Sequence, residues 1–130
     1  MTSRFTELAI DCRDPERLAS FWCAALGFEV IERAEDKVEI GSWMPTVEEV
    51  RARQMPPTLL FLQVPEGRAG KNRLHLDISP IDAGTDEEVS KLLALGATLA
   101  DVGQGPGRSW VVMADPEGNE FCVLRTLAAP

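Results

Sequence analysis

Two stretches of this chain repeat one another at nearly one offset. Glu7-Leu8-Ala9-Ile10-Asp11 is matched 68 residues later by His75-Leu76-Asp77-Ile78-Ser79, and Ala25-Leu26-Gly27 is matched 69 residues later by Ala94-Leu95-Gly96. A chain of 130 residues has room for one domain's core. An internal repeat of this spacing therefore predicts two half-sized modules built to one plan. The offset also aligns the chain's only histidine, His75, with Glu7. If the modules pair about a pseudo-two-fold axis, these two polar side chains converge on one site, and they are the first functional candidates.

Periodicity supplies the order of elements in each half. In residues 5–11, Leu8 and Ile10 point one way and Glu7, Ala9 and Asp11 the other, the alternation of a half-buried strand. Asp14 offers an N-cap oxygen, Pro15 fits the first helical position and Glu16 complements the helix dipole. Leu18, Phe21, Trp22, Ala25 and Leu26 form one apolar helical stripe, which Gly27 ends. Strands are expected at 28–34, 37–41 and 58–64.

The second half restarts at Arg73–Ser79, with Leu74, Leu76 and Ile78 on one face and His75, Asp77 and Ser79 on the other. Thr85 and Glu88 read as a capping box for a helix whose stripe is Val89, Leu92 and Leu93 and whose end is Gly96. Strands follow at 98–101, 109–114 and 121–125, the last two joined by a type I turn at Asp115-Pro116-Glu117-Gly118. The predicted fold class is α+β. Two tandem βαβββ modules, 4–64 and 73–126, are joined by a linker at 65–72 within one domain, 1–130. They are expected to form a curved, mostly antiparallel sheet with the helices on its outer face.

The formal charge of −8 argues against a nucleic-acid partner, because a phosphate backbone demands a positive footprint. No apolar run approaches the roughly 20 residues of a membrane span, and the N-terminal residues lack the pattern of an export signal. Three cysteines, Cys12, Cys23 and Cys122, are odd in number and form no C-x-x-C pair. They read as reduced thiols, and the expected compartment is the cytoplasm.

The strands at 58–64, 109–114 and 121–124 are apolar on both faces and must be covered on both. The face away from the helices is thus expected to enclose an apolar cavity with few polar groups, the usual character of a small-molecule site. Residues 42–57 have no counterpart in the other half. Within them Thr46–Met55 reads as a short amphipathic helix with Val47 and Val50 on one side, and Trp43 or Met44 is placed to stack on a ligand. The alternative is a loop that caps the sheet edge or makes a dimer contact.

The two βαβββ modules, the run Phe21-Trp22-Cys23-Ala24-Ala25-Leu26-Gly27-Phe28 and the closing Asp115-Pro116-Glu117-Gly118-Asn119-Glu120-Phe121 resemble the vicinal-oxygen-chelate superfamily. That superfamily includes glyoxalase I, bleomycin-resistance proteins and extradiol dioxygenases. Lys71–Asp77 and Trp110–Pro116 are most similar to its glyoxalase-like domain branch. The resemblance implies metal ligands on the first and last strands of each module. Glu7 and His75 fall at the two first-strand positions and are competent ligands for Zn, Ni, Mn or Fe. Cys122 falls at the last-strand position of module two. Leu62, or Gln63 at a slip of one residue, falls at that of module one. The resemblance also implies a homodimer.

Three functions follow. The first is a small organic molecule held in the cavity between the modules, anchored by Glu7 and His75 and lined by Trp43, Leu62, Asp77, Trp110 and Cys122, without an intact four-ligand metal site. The second is a divalent-metal lyase or dioxygenase using Glu7 and His75, which as a carboxylate–imidazole pair also suit acid–base work. The third is a resistance protein that sequesters a cationic drug. Without a Gly-x-Ser-x-Gly, a phosphate-binding glycine loop or a dinucleotide fingerprint, triad hydrolysis and nucleotide chemistry are unsupported.

Overall fold

A computed structural model describes residues 2–101 and 109–129. The chain divides into two compact units, Met1–Gly67 and Arg68–Pro130. The first runs β1 (Glu7–Cys12), α1 (Pro15–Leu26), β2 (Glu29–Ala34), β3 (Lys37–Gly41), α2 (Val47–Ala52) and β4 (Thr58–Gln63). The second runs β5 (Leu76–Ile78), α3 (Thr85–Ala94), β6 (Thr98–Leu99), β7 (Val111–Ala114) and β8 (Glu120–Val123). Each unit holds one four-stranded sheet, ordered β1-β4-β3-β2 in the first and β5-β8-β7-β6 in the second. The repeat in the sequence is therefore a repeat of βαβββ topology, with α2 added to the first copy.

In each sheet the first strand runs parallel to the last, and the other pairs are antiparallel. A parallel pair cannot be closed by a tight turn. The helix and two intervening strands supply the crossover, and in the first unit α1 lies against β2, β3 and β4.

The first helix forms as its sequence dictates. Asp14 Oδ1 accepts a hydrogen bond from the Arg17 amide at 3.1 Å, Pro15 opens the helix, and Gly27 closes it at φ 69°. Leu18, Ala19, Phe21 and Trp22 are buried, with Phe21 and Trp22 edge to face at 5.1 Å. They pack over Val38, Ile40, Leu59 and Phe61, the inward residues of β3 and β4.

The helix of the second unit, α3, differs from its sequence reading. Gly84 is the N-cap, and no side chain caps the helix. The Thr85 hydroxyl instead donates to the Leu124 carbonyl at 3.0 Å, just past β8, so a tertiary acceptor displaces the local one. Leu92 is buried, whereas Leu93 is 43% exposed and lies off the packed stripe. The strand expected at 73–79 is regular only over Leu76–Ile78, where it has β8 as a partner, and Leu74 before it is exposed. The insertion forms a helix as expected, capped by a reciprocal Thr46–Glu49 box; α2 itself buries no residue, and Met55 after it is the buried residue of the insertion.

The turn at Asp115–Gly118 is closed by a 2.8 Å bond from the Gly118 amide to the Asp115 carbonyl. Asp115 is 3% exposed, and its Oδ1 accepts from the Glu117 and Asn119 amides, both at 2.9 Å. Asp115→Ala removes the side-chain acceptor of the Glu117 and Asn119 amides and should cost about 2 kcal/mol of stability, measured by urea unfolding.

Candidate functional site

The second unit concentrates chemistry on one strand pair. Cys122 on β8 lies opposite Asp77 on β5, and His75 precedes β5 with the same side-chain parity as Asp77. Strand alternation therefore projects all three from one face. Their ligand atoms lie within 4.8 Å of one another. His75 Nε2 is 3.1 Å from Asp77 Oδ1, and both side chains are about half exposed. Cys122 is buried at 9% exposure. Burial pushes the Cys122 thiol above its ordinary pKa, the Asp77 charge and a thiol–carboxylate hydrogen bond push further, and Lys71 opposes them. Unliganded, Cys122 is a protonated thiol rather than a nucleophile.

Glu7 lies in the first unit at the start of β1, exposed on the sheet face away from α1. It lines a cleft of about 220 Å³ beneath the insertion, together with Phe5, Glu39, Met44, Val50, Met55 and Thr58. Met44 reaches that cleft, while Trp43, 45% exposed, is not part of its lining. Glu39 is a residue that sequence reasoning passed over. It sits on β3 opposite Leu60, and its Oε2 accepts from the Thr58 hydroxyl at 2.6 Å. The period-2 pattern could have found it, since Glu39 is the one acidic residue between Val38 and Ile40, both buried.

The register corrects one equivalence. Cys122 pairs with Asp77, two residues after His75, and in the first unit the residue two after Glu7, Ala9, pairs with Leu60. Leu60, rather than Leu62 or Gln63, is thus the topological counterpart of Cys122. Leu62 is half-buried opposite Asp11, and Gln63 is exposed. The position is apolar and cannot hold a metal. Trp110 is half-buried and immediately precedes β7. No disulfide joins Cys12, Cys23 or Cys122.

The comparison with known families follows this geometry. The profile of the glyoxalase-like domain matches residues 7–124. The chain belongs to the glyoxalase-like domain family. Its fold is that of the vicinal-oxygen-chelate superfamily, and solved structures repeat it over nearly full length. A glyoxalase/bleomycin resistance protein/dioxygenase family enzyme from Burkholderia phytofirmans PsJN is 21% identical, with TM-score 0.63, covering 93% of this chain and 97% of its own. The fosfomycin resistance protein FosX from Mesorhizobium loti is 15% identical, with TM-score 0.61, at 98% and 92% coverage. The trypanothione-dependent glyoxalase I of Leishmania major is 17% identical, with TM-score 0.63, at 95% and 87% coverage. Among curated proteins, none matches. At these identities the likeness extends to the fold, and one fold carries many chemistries.

Within this glyoxalase-like chain, the electrostatics of Cys122 are directly measurable. Asp77→Asn removes the neighbouring negative charge and lowers the thiol pKa, so alkylation of Cys122 by iodoacetamide near pH 8 should speed up severalfold, read by peptide mass spectrometry. Wild-type Cys122 should lag behind a free cysteine at the same pH.

Proposed function

We infer that this glyoxalase-like protein binds a small organic molecule at a centre built on His75, Asp77 and Cys122. The observation that carries this reading is the convergence of an imidazole, a carboxylate and a thiol within 4.8 Å on one strand pair. An imidazole nitrogen, a carboxylate oxygen and a thiolate sulfur are a donor set for a borderline-soft divalent ion. The set fits zinc best, and fits manganese poorly because of the sulfur. Three protein ligands are the number that leaves a position open for substrate.

The centre is not the four-position set of the superfamily's metal users, since Leu60 takes one of those positions. A divalent ion held by these three residues would supply Lewis-acid polarisation of a substrate's vicinal oxygens, which suits a lyase; zinc, having no redox chemistry, would not support a dioxygenase. The chain's own groups do the remainder. Asp77 holds the His75 ring in orientation through the 3.1 Å contact. Cys122 must give up its proton on loading, so affinity for the metal rises with pH. A cytoplasmic homodimer is part of this reading, motivated by the family resemblance and the reduced thiols.

Elemental mass spectrometry of the purified chain after zinc loading and dialysis tests it. Near-stoichiometric zinc is expected, with loss on His75→Ala and at least a tenfold weaker site on Cys122→Ser. Zinc should also protect Cys122 from alkylation. Zinc content unchanged in both variants would overturn the reading.

A further inference from the structure

The cleft in the first unit shares no residue with the His75–Asp77–Cys122 centre and has its own chemistry. Its walls are apolar, formed by Phe5, Met44, Val50 and Met55. Phe5 and Met44 are 54% and 48% exposed, so two large hydrophobic side chains stand open at one place on the surface. Exposed apolar surface rimmed by polar groups marks a binding site. The floor carries two carboxylates, Glu7 from β1 and Glu39 from β3. Among the described residues neither makes an ion pair. The Thr58 hydroxyl, itself buried, fixes the Glu39 carboxylate at 2.6 Å.

The walls are held in place by hydrogen bonds from the segment before β1. Arg4 donates from Nε to the Val50 carbonyl at 2.9 Å and from Nη2 to the Arg51 carbonyl at 3.2 Å. Gln54 pairs twice with Phe5, accepting from its amide at 3.0 Å and donating to its carbonyl at 2.7 Å. These four bonds tie the C-terminal half of α2, and Gln54 just beyond it, to the segment before β1. A cleft so fixed binds without first paying to order its walls.

We propose that this cleft binds a small primary amine with an aryl or alkyl tail. The ammonium group lies against Glu7 and Glu39, and the tail lies among Phe5, Met44, Val50 and Met55. The two carboxylates reward a cation with charge-assisted hydrogen bonds, and Arg33 and Lys37 stand beside the same pair around a smaller adjoining pocket without an ion pair to either. The apolar walls exclude a bare hydrated ion and suit an aromatic ring, which methionine sulfur and a phenylalanine face favour. A volume of about 220 Å³ limits the ligand to a compact amine, below the size of drug-class pockets, which begin near ~300 Å³.

Titration calorimetry on the metal-free full chain with phenethylamine, 2-phenylethanol and 3-phenylpropanoate tests the proposal. Phenethylamine should bind at least about tenfold more tightly than either isostere. Glu39→Gln keeps an acceptor for Thr58 and should remove most of that advantage while leaving the alcohol's binding unchanged. Equal binding of the amine and the alcohol, binding of none of the three, or an amine preference that survives in Glu39→Gln would overturn it. Because the protein is metal-free throughout, the outcome is independent of the zinc centre.

Discussion

The parallel pairing of first and last strands, β1 with β4 and β5 with β8, is the constraint on which the rest of this molecule depends. It brings residues more than forty positions apart in sequence side by side, as with Asp77 and Cys122. It also forces the crossover through a helix, and that helix covers one sheet face and leaves the other for chemistry. Glu7 stands on the uncovered face of the first sheet, and His75, Asp77 and Cys122 share one face of the second unit's β5–β8 pair.

The two modules have spent this shared geometry differently. At equivalent positions the second carries His75, Asp77 and Cys122, and the first carries Glu7, Ala9 and Leu60. The second module thus gathers donors of three kinds at one spot, while the first keeps carboxylates above apolar surface and gains an extra helix. Duplicated modules of one topology need not duplicate a site, because the register fixes only where side chains stand. What they do there depends on residue type alone.

Sequence reasoning reached the element order because it rests on local signals. The alternation in β1, the Asp14–Pro15 start and the Gly27 end of α1 are each set by residues within a few positions of one another. It failed at Thr85, where a carbonyl 39 residues away outcompeted the local capping partner. It also misjudged Leu74 and Leu93, whose parity suggested burial but whose neighbours cannot cover them. The residue of the first module that stands in register with Cys122 is Leu60 and not Leu62, because pairing register is a long-range property that spacing alone does not set. His75, Asp77 and Cys122 were each legible as candidates. Their convergence within one module was not, because it required knowing that β5 pairs with β8.

The Gln54–Phe5 pairing has a consequence for how such a protein is handled. Arg4 and Phe5 precede the first strand, yet they anchor α2 from the far side of the sequence. The hydrophobic core contains neither residue. Trimming the chain at Thr6, or fusing a bulky tag hard against Arg4, would leave a cooperative, fully folded molecule whose cleft has lost a wall. Assays on such a preparation would report a healthy protein with altered binding, and the cause would lie in residues ordinarily treated as dispensable.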